Sequence, residues 1–111
     1  MSKKFDEIPD FKAYNNYQPV IDPTLAAFIS APIELRAGAL YTLVSTTMID
    51  GTITIEVFDT TTKTWQSAYQ KGSLMQLKPA REIVTLSEGS MIIRFNKSPT
   101  STLVGLSMNF A

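Results

Sequence analysis

Beyond residue 25 the chain alternates apolar and polar residues in short runs, the period expected of half-buried strands. The clearest run is Thr52-Ile53-Thr54-Ile55-Glu56-Val57, which puts Ile53, Ile55 and Val57 on one side and Thr52, Thr54 and Glu56 on the other. The chain end alternates in the same way, with Val104, Leu106, Met108 and Phe110 set against Leu103, Gly105, Ser107 and Asn109. A terminal strand this apolar is expected to be central, with a neighbour on each side. No apolar period of helical spacing persists for a dozen residues, so about eight antiparallel strands are predicted. Residues 24–30 are the one place where a short helix would fit, with Thr24 as its cap and Pro32 as its stop.

Turn residues divide the strands. Asp50-Gly51 supplies a positive φ, which predicts a hairpin between residues 39–46 and 52–58. A strand over residues 64–70 would put Trp65, Ser67 and Tyr69 on one face. Further strands are expected over 74–77, 82–86, 91–95 and 102–110, broken by Pro79, Glu88-Gly89 and Ser98-Pro99. Short strands at such regular spacing point to an all-β sandwich or barrel.

Residues 1–24 read differently. Pro9, Pro19 and Pro23 punctuate them and no period persists, so they are expected to form an extended N-terminal arm ahead of a β domain over 25–111. The arm carries Phe5, Ile8, Phe11, Tyr14 and Tyr17, about three residues apart, a strip suited to lying along a partner surface.

Composition narrows the function classes. With 111 residues and 44% hydrophobic content, the chain can bury one core. Ten basic and ten acidic residues cancel without forming blocks, which disfavours nucleic acid and anionic membranes as partners. The apolar runs are too short for a spanning helix. Two lysines near the start have no apolar stretch behind them, so no secretory signal is read and synthesis in a cytoplasm is expected.

The chain has no histidine and no cysteine, which removes imidazole and thiolate nucleophile systems and the usual zinc ligands. Its five glycines form no phosphate-binding loop. Glu34, Glu56, Asp59, Glu82 and Glu88 could supply a carboxylate pair, and Asp22, Asp50 or Asp59 an oxygen site for calcium, but solvated strand faces and turns account for them. Asn96-Lys97-Ser98 has the form of a glycosylation acceptor, but Pro99 follows it. No enzyme, cofactor or metal is therefore expected. Trp65 and Tyr69, with Tyr41 and Phe58, could form an aromatic platform for a sugar; the competing reading is that the tryptophan packs in the core. Threonine- and serine-rich strand faces suit solvent, and equally suit contact between subunits.

The rhythm of Ile33-Glu34-Leu35-Arg36-Ala37-Gly38-Ala39-Leu40-Tyr41-Thr42-Leu43, followed by Gly51 to Asp59 and Trp65, resembles the jelly-roll β-sandwiches of carbohydrate-binding modules and of small bacteriophage virion proteins. Together with the apolar arm and neutral charge, it is similar to phage head decoration, or cement, proteins. That resemblance implies a non-enzymatic homotrimer made in the host cytoplasm, located in the virion and bound to the major capsid or another virion protein. The alternative it leaves open is a carbohydrate-binding module, or a tail or fibre domain that recognises a surface glycan.

Overall fold

The computed structural model describes residues 17–86 and 90–110. Among them there is no helix, and the backbone forms twelve strand elements. These are β1 (Tyr17–Thr24), β2 (Phe28–Ile29), β3 (Ile33–Leu35), β4 (Tyr41–Ser45), β5 (Ile53–Asp59) and β6 (Thr64–Ser67). They continue with β7 (Tyr69–Gln70), β8 (Ser73–Leu74), β9 (Gln76–Leu77), β10 (Ile83–Leu86), β11 (Met91–Lys97) and β12 (Val104–Phe110).

Two antiparallel sheets carry the fold. The first has the order β1-β12-β4-β10, and the second runs β2-β11-β5-β6, with β3 also on β11 and β9 also on β5. β2 and β3 occupy one edge of β11, separated by Ser30-Ala31-Pro32. Ser30 bridges the gap, its N–H donating to Phe95 O and its hydroxyl accepting from Phe95 N–H, both at 2.9 Å. Pro32 has no N–H to continue the ladder. β6 and β9 likewise share one edge of β5, and the β7–β8 hairpin is inserted between them. The elements thus fill eight strand positions in jelly-roll order, which explains why about eight strands were expected while twelve elements form.

The inner faces interlock as the alternation predicts. Leu43, Leu106 and Met108 of the first sheet meet Ile53, Ile55, Ile93 and Phe95 of the second, all essentially inaccessible to solvent. Burial of side chains this size contributes about 1.5–3 kcal/mol each. β12 lies between β1 and β4, the central place expected for it.

Three expectations change. Residues 39–46 and 52–58 do not form a hairpin, because β4 belongs to the first sheet and β5 to the second. The intervening segment crosses the end of the sandwich and buries Met48 there. Gly51 does have a φ of 80°, but it serves this crossing, where an added Cβ would come within 2.5 Å of Thr100 Cγ2. Residues 24–30 hold no helix; the Thr24 hydroxyl accepts the Ala26 N–H and turns the chain into β2. Finally, residues 17–24 of the expected arm are strand β1, with Ile21 in the core. At Gly105 the two strands are so close that a Cβ would lie 2.7 Å from Ile21 O.

Candidate functional site

The outward faces of the two sheets differ in chemistry. On the first, the registers align Tyr17, Asn109, Thr42 and Thr85 in one row across the four strands. Pro19, Ser107, Val44 and Ile83 form the next row. None of these eight residues is charged. Their strand neighbours Leu43, Leu106, Met108 and Val84 point into the core, so strict alternation turns these rows outward. Ile83 is 63% exposed at the β10 edge. At the β1 side, Tyr17, Pro19, Asp22, Val44 and Ser107 line a groove of about 530 Å³. On the same face the buried Oδ1 of Asn109 has no hydrogen-bond partner among the described residues, an uncommon state for a buried acceptor.

The second sheet's outer face carries charge. Arg94 Nε donates to Glu56 Oε1 at 2.6 Å, and Asn96 Nδ2 donates to Glu56 Oε2 at 3.2 Å. The Arg94 guanidinium lies 4.4 Å from the centre of the Trp65 ring, and Phe58 meets that ring edge-on at 5.2 Å. Each such contact is worth about 0.5–1 kcal/mol at a half-exposed site.

Of the residues singled out in the sequence, Phe5, Ile8, Phe11 and Tyr14 lie outside the described residues, while Tyr17 is half-buried in β1 and lines the groove. Trp65 and Tyr69 do not share one continuous strand. β6 ends at Ser67, and Ala68 donates its N–H to Ile55 O before the chain turns away as the β7–β8 hairpin. Trp65 stays on the outer face beneath Arg94, whereas Tyr69 lines a cavity that reaches between the sheets. Asp59 closes a turn, its carboxylate accepting the N–H groups of Thr61 and Thr62, and those bonds hold its pKa below the ordinary value. Among the described residues no three acidic side chains come together as a metal site would require.

One buried group escaped the sequence reading. Lys97 is completely inaccessible, and its ammonium donates to Ala26 O at 2.9 Å, Ser98 O at 3.0 Å and Thr100 Oγ1 at 3.0 Å. It ties the segment after β1 to the segment before β12. Burial lowers its pKa, and the nearby Asp50 charge opposes that shift.

No family model, no curated protein and no solved structure matches this chain.

Proposed function

We propose that the chain is a non-enzymatic structural protein of a virion, a capsid decoration or cement protein that assembles as a homotrimer on the major capsid protein. The observation that carries this reading is the pair of uncharged rows across the outer face of the first sheet, with Val44 and the 63% exposed Ile83 in them. Subunit contacts are depleted in charge at their centres, and closed symmetric assemblies are the common way to cover such a face. Phe5, Ile8, Phe11 and Tyr14 precede Tyr17, the groove-lining start of β1, in the sequence, and this apolar strip would be the part that meets the capsid shell. Such a protein is made in the host cytoplasm and resides in the virion.

The test uses virions assembled without this chain. Purified chain should bind them to saturation and raise the temperature at which the shell opens. Failure to bind, with the shell unchanged, would overturn the proposal. A second reading, a glycan-binding module or fibre domain, is favoured by the Trp65, Arg94, Glu56 and Asn96 cluster, which combines an aromatic ring with fixed polar groups. Saturable binding of an oligosaccharide that Trp65→Ala abolishes would select it instead.

A further inference from the structure

We infer that the sandwich holds a binding site for a small, uncharged, ring-sized apolar molecule, in the cavity beneath the β7–β8 hairpin. The cavity measures about 230 Å³ and lies between the sheets. Its inner wall is hydrocarbon and thioether: Leu35, Ile55 and Ile93 from the second sheet, Leu86 from the first, and Met75 and Met91.

The opening follows from how the chain is routed. Ala68 donates its N–H to Ile55 O, six residues then leave the sheet as the hairpin, and Met75 returns, donating to Ala68 O and accepting from Ile55 N–H. The hairpin turns at Lys71-Gly72, where both residues have positive φ, 53° and 81°. At its base only the methyl group of Ala68 faces the core cluster, so the space that a larger side chain would fill stays open. Tyr69, 65% exposed, is part of the lining, and the cavity therefore reaches the surface beside it.

Ligand class follows from the lining. No lining residue is charged, which leaves a charged ligand uncompensated. Water gains little in an apolar space with few polar partners, whereas an apolar cavity of about 150 Å³ already admits benzene. This one is larger, and Ser67, Gln70 and Tyr69 are among its lining residues, a polar side from which one polar group on a ring such as indole can be met. Met75 and Met91 add adaptable, polarisable walls suited to an aromatic face.

Indole titrated into the full chain, followed through the methionine methyl resonances, tests the site. The Met75 and Met91 methyls should move along one saturation curve while those of Met48 and Met108, which lie outside the cavity, hold still. The thermal midpoint should rise with indole concentration. Ala68→Leu, which fills the space, should weaken binding at least about tenfold. Val57→Phe serves the same purpose from β5 if the first variant does not fold. No saturable movement of Met75 and Met91 in the unaltered chain would overturn the inference. Unchanged affinity in a folded, filled variant would do so equally.

Discussion

Lys97→Ala is expected to lower stability by about 3–5 kcal/mol, read from the midpoint of chemical denaturation. Two losses add. The four-carbon stem leaves a void at an inaccessible site. Ala26 O, Ser98 O and Thr100 Oγ1 lose the donor they share, and only Thr100 Oγ1 is buried, so that acceptor carries the penalty of about 1–3 kcal/mol. Lys97→Met separates the two, since it restores most of the volume but none of the donors, and it should recover only part of the loss. The lysine also leaves a pH signature. Its folded pKa is below the ordinary 10.5, so the unfolded chain holds the proton over a range where the folded chain has released it. Stability from this group therefore rises as the pH climbs from the folded value towards 10.5, and Lys97→Met should lack that rise. Equal stability of Lys97→Ala and the parent chain would show that the three acceptors find water.

Two truncations are expected to behave in opposite ways. Deleting residues 1–16 leaves β1 whole, so the β core should melt within a few degrees of the full chain while attachment to its partner fails. Deleting residues 1–21 removes the part of β1 that pairs with Asn109, Met108, Ser107 and Leu106, and with it the buried Ile21. Loss of the Ile21 side chain alone costs about 2–5 kcal/mol. The backbone of β12 also becomes an open edge. The midpoint should fall by roughly 10 °C or more. Full partner binding by the shorter deletion would show that Phe5, Ile8, Phe11 and Tyr14 are not the attachment strip.

The alternation along Ile53, Ile55 and Val57, and along Leu106 and Met108, disclosed which faces are buried, because period two follows from strand geometry alone. The same parity disclosed Lys97 to anyone who continued it: Ile93, Phe95 and Lys97 share one side of β11. A strand that ends at Phe95 leaves it out. Asp50-Gly51 signalled a positive φ correctly, but a turn signal does not say whether the next strand joins the same sheet or the opposite one. Period two carried through Ala68 puts Trp65 and Tyr69 on one face, but the strand is interrupted there by the inserted hairpin. The uncharged face was present in the sequence as scattered threonines and serines. Its assembly into two rows depends on pairings between residues as distant as Tyr17 and Asn109, which local pattern cannot supply.

Light scattering on the purified chain, alongside Ile83→Lys and Val44→Lys, tests the assembly claim most directly. Both positions are on the outer face of the first sheet, so a lysine there should leave the β spectrum intact while burying an unpaired charge in any subunit contact. The account predicts about three times 12.3 kDa for the parent chain and a single 12.3 kDa chain for the variants. A parent mass of 12.3 kDa at working concentration, or an oligomer that survives both lysines, would contradict it.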